Sequence, residues 1–154
     1  MYIRRLLDDE YEDVVKLITD TVHIVCKNDY TEEELNAWAP ENFNIRKFRE
    51  NLSPCLNLAA FEKGKLVGFL SMERSGYINR LYTHFKYQHR GIATALYKEA
   101  EHWAAEHGIL ELSLDSSKTA EGFYIKMGFK KSGISIVKHG SVVFRNTVMK
   151  KSLI

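Results

Sequence analysis

The sequence predicts an α/β (α+β) fold, a mixed central β-sheet of about seven strands with helices on both faces. Three observations predict it. Apolar residues recur at helical spacing in some stretches and form short bounded runs in others. Lys63-Gly64 and His139-Gly140 each sit between two strand-like runs, as hairpin turns do. One long helical stretch separates two strand-like segments, which is how parallel neighbours are connected. No internal repeat or Pro-rich linker interrupts the 154 residues, so a single domain over 1–154 is expected.

Residues 2–6 suit an opening strand. Asp8 or Asp9 stands where it would cap a helix over 11–26, whose Val14, Leu17, Ile18, Thr21, Val22 and Val25 share an apolar face. Thr31 followed by Glu34 is a capping-box pattern opening a short helix through Trp38, which Pro40 ends. Asn44 is placed to cap another short helix over 45–52. Strands over 56–62 and 65–73 flank Lys63-Gly64, and a third over 77–83 returns across Arg74-Ser75, antiparallel to the second. A long helix over 91–107 follows, with Ile92, Ala95, Leu96, Ala100, Trp103 and Ala104 on its buried side. Gly108 stands where a left-handed C-terminal cap is wanted. Residues 110–114 read as a strand parallel to the one before that helix. A helix over 120–127 is stopped by Gly128, and strands over 129–138 and 142–150 close the chain as a hairpin.

Composition excludes several classes of function. Hydrophobic residues at 45% and charged residues at 27% are ordinary for a globular chain with its own core. Twenty-two Lys and Arg against twenty Asp and Glu leave a charge of +2, so no nucleic-acid partner is expected, though a small basic site for one anion is not excluded. The apolar runs fall short of the roughly eighteen residues a spanning helix needs, and the opening turns acidic at Asp8-Asp9-Glu10 with no signal-peptide core. No membrane partner and a cytoplasmic location are therefore expected. Cys26 and Cys55 lack metal-ligand spacing and are expected as reduced core thiols. His23 and His102 are expected to be structural or exposed, and no metal site is expected.

The informative stretch runs from Leu81 to Thr94, a strand leading through a loop into a long helix. The first N–H groups of such a helix have no intrahelical partner, and the helix dipole places about half a positive charge there. Gly91 and Ala93 let an anion approach the backbone, and His89 and Arg90 add donors. A pyrophosphate suits this arrangement; an ordinary helix start with two exposed basic residues is the plainer alternative. The dinucleotide fingerprint and the P-loop both require glycines that this segment lacks.

Gln88-His89-Arg90-Gly91-Ile92-Ala93 matches, at every fixed position, the Q/R-x-x-G-x-G/A segment of the GCN5-related N-acetyltransferases (GNAT). A second block, Ala120-Glu121-Gly122-Phe123-Tyr124-Ile125-Lys126-Met127-Gly128-Phe129, resembles the A-x-x-x-Y-x-x-x-G-F helix and turn of the same family. The blocks occur in the family's order with the expected helix and strand between them. On these residues the chain is identified as a small single-domain member of that superfamily.

The resemblance implies that acetyl-CoA lies between two splayed parallel central strands, here those over 77–83 and 110–114. Backbone groups of Leu81, Tyr82 and Thr83 would then bond the thioester and pantetheine arm, and the amides of Gln88, His89, Arg90, Gly91, Ile92, Ala93 and Thr94 would hold the pyrophosphate. Ala120, Phe123 and Met127 would touch the pantetheine or acetyl end. Tyr124 becomes the catalytic acid, since a phenol of pKa about 10 can donate to a departing thiolate whose conjugate thiol has pKa about 8.5. Without the resemblance, Tyr124 reads as a core aromatic beside Phe123 and Phe129. Relatives often carry a glutamate base where this chain has Tyr77, followed by Ile78 and Asn79, so Glu73, His139 or a water relay stands in. Where relatives carry an asparagine, this chain has Ser117; Asp115 or Ser117 either bonds the cofactor arm or caps the next helix.

The acceptor side is expected between the first long helix and the second strand. Tyr30, Trp38, Phe43 and Phe48, interspersed with Glu32, Glu33, Glu34 and Glu41, would suit an amine with an apolar body, although Leu35 and Trp38 also suit simple docking on the core. The implied activity is acetyl transfer from acetyl-CoA as cosubstrate, without a metal, to a primary amine of a small molecule. A CoA-binding sensor without efficient chemistry and a protein N-terminal or lysine acetyltransferase are the alternatives. A homodimer is an assembly this fold often takes.

Overall fold

The computed structural model describes residues 1–154. Strand β1 (Tyr2–Arg5) is followed by helices α1 (Tyr11–Val25), α2 (Glu32–Trp38) and α3 (Ile45–Leu52). Strands β2 (Leu56–Glu62), β3 (Lys65–Met72) and β4 (Ile78–Thr83) form a meander, and α4 (Ile92–Glu106) crosses to β5 (Glu111–Ser116). Helix α5 (Glu121–Lys126) and the hairpin of β6 (Lys130–His139) and β7 (Val142–Ser152) complete the chain.

Local chemistry explains most boundaries. Thr31 and Glu34 form the reciprocal capping box, with the Glu34 amide 3.2 Å from the Thr31 hydroxyl and the Thr31 amide 2.9 Å from the Glu34 carboxylate. Asn44 caps α3 by accepting the Lys47 N–H at 3.0 Å. At the start of α1 the expected Asp8 or Asp9 cap is absent. Residues Asp8–Glu10 form a 3-10 turn, and Glu10 reaches back to the Leu7 N–H at 2.8 Å and to both terminal nitrogens of Arg4 at 2.7 Å. A bidentate ion pair outcompetes a lone carboxylate cap because it satisfies both oxygens at once.

The seven strands fall into two segments of one mixed arrangement, β1-β2-β3-β4 and β5-β7-β6, with antiparallel pairing inside each. Only Tyr77 and Ser113 bridge the two parallel neighbours, with the Ser113 N–H donating to the Gly76 carbonyl at 3.1 Å. Beyond that point β4 and β5 diverge. The strand expected over 77–83 therefore starts at Ile78, and the one expected over 110–114 is shifted to Glu111–Ser116, because β5 takes its register from β7. Gly76 sits at the hinge of this splay. Its φ is +98°, and a β-carbon there would lie 2.6 Å from the Glu111 carbonyl oxygen, so only glycine fits.

Two apolar layers cover the sheet. On one face α4 and α5 pack on β2 to β5, burying Leu70, Ile78, Leu96, Leu112, Tyr124 and Phe129. Opposite, α1, α2 and α3 bury Val14, Ile18, Leu35, Phe48, Phe69 and Phe144. The buried face of α4 includes Tyr97, which sequence periodicity left out, whereas the expected Ala95 and Trp103 are only partly buried.

Candidate functional site

The divergence of β4 from β5 opens a cleft of about 1380 Å³. It brings together Leu81, Tyr82, Thr83, Gln88, His89, Gly91, Ile92, Ala93, Thr94, Asp115, Ser117, Ala120, Phe123, Tyr124 and Met127. Of the residues expected to hold the cofactor or to act as the acid, only Arg90 is not on its lining. The Arg90 side chain is exposed, with its guanidinium 5.0 Å from the centroid of Tyr87.

At the loop end of the cleft the backbone is shaped as an anion cradle. His89 and Gly91 both have positive φ, +60° and +81°, which turns successive N–H groups toward one side. None of the backbone N–H groups from Gln88 to Thr94 donates to another group of the protein. The first helical bond of α4 belongs to Ala95, which donates to the Gly91 carbonyl at 3.0 Å. Seven consecutive free donors at the positive end of a fifteen-residue helix suit a pyrophosphate. The Gln88 side chain holds the loop itself, donating to the Thr83 carbonyl at 2.6 Å.

Tyr124 enters the cleft from α5. Its ring packs edge-on against Phe123 at 5.3 Å and Phe129 at 5.5 Å, and Tyr97 packs against the same two rings. Lys151 on β7 donates to the Met127 carbonyl at 2.7 Å and to Glu101 at 2.6 Å, while Tyr97 also bonds Glu101. Burial pushes the Glu101 carboxyl upward, but the Lys151 and Tyr97 hydrogen bonds outweigh it and hold the group below the usual range. This network ties α4, the end of α5 and β7 together behind the tyrosine. The Tyr124 hydroxyl donates to no protein group, yet it is not among the buried unpaired side-chain atoms, so its tip opens on the cleft. Burial, then the neighbouring Tyr82 and Tyr77, raise its pKa above the usual phenol value.

Asp115 and Ser117 are already engaged. The Tyr77 hydroxyl donates to Asp115 at 3.0 Å, and Ser135 donates to the same oxygen at 3.4 Å. Burial, then the bond to Asp115, push Tyr77 up to about 12. Ser117 accepts the Ala120 N–H at 3.3 Å, the capping alternative, while still lining the cleft. Both base candidates line the cleft as well, Glu73 in the exposed turn after β3 and His139 at the end of β6. Burial, then the positive Arg80, hold His139 below its ordinary pKa, so its imidazole is neutral at pH 7.

The acceptor end differs from the sequence expectation. Tyr30 and Trp38 do line it, joined by Phe144, with centroid separations of 5.3, 5.9 and 6.1 Å among the three rings. Phe43 and Phe48 instead pack edge-on against each other at 5.3 Å outside the lining, and Glu32, Glu33, Glu34 and Glu41 lie outside it too. The short α2 docks its apolar side inward, which leaves its acidic residues on the outer surface. Arg80 and Asn146 also line the cleft and carry no sequence signal, because nothing local marks a strand residue as cleft-facing; Asn79, beside the position of the missing glutamate, lines it as well.

A family model described as "Acetyltransferase (GNAT) domain" matches residues 26–153. The uncharacterized N-acetyltransferase YafP of Escherichia coli (strain K12) is 26% identical over 128 residues, covering 83% of this chain and 80% of that protein. Among solved structures, a GCN5-related N-acetyltransferase from Rhodopseudomonas palustris superposes with a TM-score of 0.95 at 31% identity, covering 99% of this chain and 95% of that one. The PaiA N-acetyltransferase of Thermoplasma acidophilum, solved in complex with coenzyme A, gives a TM-score of 0.74 at 24% identity over 98% of each chain.

Proposed function

Since the chain belongs to the GNAT acetyltransferase family, we propose that it moves an acetyl group from acetyl-CoA to a primary amine of a small molecule by direct attack, with Tyr124 assisting the thiolate. The observation that carries this reading is the run of seven unpartnered amides leading into the opening between β4 and β5, with Tyr124 on its far wall. Acetyl-CoA supplies the activated acyl group. The amides from Gln88 to Thr94 bind its pyrophosphate, and the edge of β4 beyond Tyr77, which has no strand partner, bonds the pantetheine arm. Ala120, Phe123 and Met127 close the apolar side.

As the C–N bond forms and the C–S bond breaks, Tyr124 donates its O–H to the sulfur. Its raised pKa keeps the phenol protonated throughout the neutral range, and it also keeps the proton nearer oxygen than sulfur. Tyr124 therefore acts first as a hydrogen-bond donor to developing charge; when its proton passes to the thiolate, the phenolate is restored by the second proton that the nitrogen sheds as the amide forms, relayed through water. Neutral His139 is suited to take the ammonium proton, directly or through water. Holding both reactants in one cleft supplies much of the acceleration.

Thermal unfolding with acetyl-CoA, CoA, NAD and ATP, each added separately, tests the cofactor. A ligand at 100 times its Kd adds about 2.7 kcal/mol, so both CoA species are expected to raise Tm and NAD is not. No shift with either CoA species would sink the reading. Release of free thiol in an amine screen then tests transfer itself.

A further inference from the structure

Arg80 enters the steps above only through its charge near His139, and its setting is unusual. It lies on β4, where pairing with β3 skips from Ser71 with Arg80 to Met72 with Ile78, leaving Asn79 as an extra residue. This bulge breaks the alternation of the strand. Ile78 and Leu81 both face the α4 side, and Arg80 is turned to the opposite side, its guanidinium 5.4 Å from the centroid of Phe48. There it is half-buried on the lining of the acceptor end, together with Asn79, His139, Trp38 and Phe144.

A guanidinium has five N–H donors and keeps its charge at any accessible pH. The Arg80 side chain forms no ion pair and donates no hydrogen bond to the protein. Neither carboxylate on the cleft reaches it: Asp115, which accepts the Tyr77 and Ser135 hydroxyls on one oxygen, and Glu73, in the exposed turn, form no ion pair with its guanidinium. Arg74, the other arginine of the lining, is spent on the Pro54 carbonyl at 3.1 Å and on the face of Trp103. A partly desolvated cation with its whole fork unused is costly unless something anionic arrives to meet it. An amine without an anionic group would bring a second positive charge to the same pocket.

We propose that Arg80 is the carboxylate-binding residue of the acceptor subsite, and that the amine acetylated is one that also carries a carboxylate, an amino acid or ω-amino acid. This rests on the acetyltransferase reading of the cleft. The planar carboxylate matches the guanidinium fork in two parallel bonds, which fixes the amine relative to Tyr124. The aromatic wall of Tyr30, Trp38 and Phe144 then receives the substrate's apolar body.

The test uses matched pairs, each an amino acid and its carboxamide: phenylalanine, leucine and 5-aminopentanoate with their amides, offered with acetyl-CoA and followed by thiol release. The carboxylate member is expected to be favoured in kcat/KM by about tenfold or more, as a charge-assisted bond to an ion warrants. In Arg80→Gln that ratio is expected to fall to about one, and in Arg80→Lys, which keeps charge but loses the fork, to an intermediate value. Equal use of both members by the wild type, or a ratio that survives in Arg80→Gln, would overturn the proposal. So would an equal loss on both members, which marks Arg80 as packing for Phe48 only. If CoA binds but no amine is acetylated, the transfer reading fails separately. Calorimetry of the same amino acids on the CoA-loaded protein then decides: binding abolished in Arg80→Gln supports the carboxylate site, and no binding to the wild type refutes it.

Discussion

Replacing Tyr124 by Phe removes one oxygen and leaves the ring among Phe123 and Phe129. The magnitude follows from where that oxygen points. It bonds no protein group and opens on the cleft, so folding loses nothing with it, and a stability change within about 0.5 kcal/mol is expected. Transfer loses a hydrogen bond to a sulfur that becomes anionic, worth about 1.5–3 kcal/mol. That converts to a fall in kcat of roughly 10- to 150-fold. With CoA held mainly at the amides of the α4 loop, as proposed, on the other side of the cleft, its affinity is expected to stay within about threefold. Thiol-release kinetics with a turned-over amine, calorimetry with CoA and a thermal melt of the same sample make the three readings. A kcat within threefold of wild type would refute the role given to the hydroxyl. A loss of rate that merely tracks a fall in Tm would return Tyr124 to the status of a core aromatic. Tyr124→Ala is the contrasting control, costing about 3–5 kcal/mol by leaving a cavity beside Phe129.

Gly91→Ala places a side chain on a residue at φ +81°, a left-handed conformation that costs about 1–2 kcal/mol for an L-residue, seen as a lower Tm. The same β-carbon would stand at the anion cradle, and calorimetry is expected to show about a tenfold rise in the CoA Kd. Gly76→Ala is expected to be worse for folding, by about 2–4 kcal/mol in urea titration, since its β-carbon would meet the Glu111 carbonyl at 2.6 Å. His139 carries a pH signature. Burial and Arg80 lower its folded pKa below the unfolded value of about 6.5, so between the two the unfolded chain binds more protons and stability falls as pH falls. Melts across pH 5–8 are expected to show a shallower acid-side slope in His139→Asn than in the wild type; identical slopes would mean that His139 is not shielded in the folded protein.

What could be read without the fold was whatever short stretches of chain settle among themselves. The Thr31–Glu34 box, the Asn44 cap, the Lys63-Gly64 hairpin and the glycine that starts α4 all depend on residues within about one turn of one another. The segment from Gln88 to Thr94 and the helix holding Tyr124 belong to the same class, because a helix N-terminus exposes its amides wherever it is placed. Even here a local rule failed once: Asp8 and Asp9 looked like caps, and the Arg4–Glu10 pair across the turn decided otherwise.

Tertiary structure alone decided which side chains meet across the cleft. The bulge at Asn79 sends Arg80 to the acceptor side, and it arises from pairing with Ser71 and Met72 rather than from anything in the strand itself. Tyr77, noticed only as a missing glutamate, turned out to hold Asp115, thirty-eight positions away. Tyr97 is buried because Lys151 and Phe129 arrive from β7 and from the turn before β6. The aromatic residues before β2 divided between cleft and core according to the docking angle of α2 and α3, which no periodicity reports. Backbone preferences act over a few residues and so are legible in sequence; register, bulges and docking are collective, and they place the groups that line the aromatic end of the cleft.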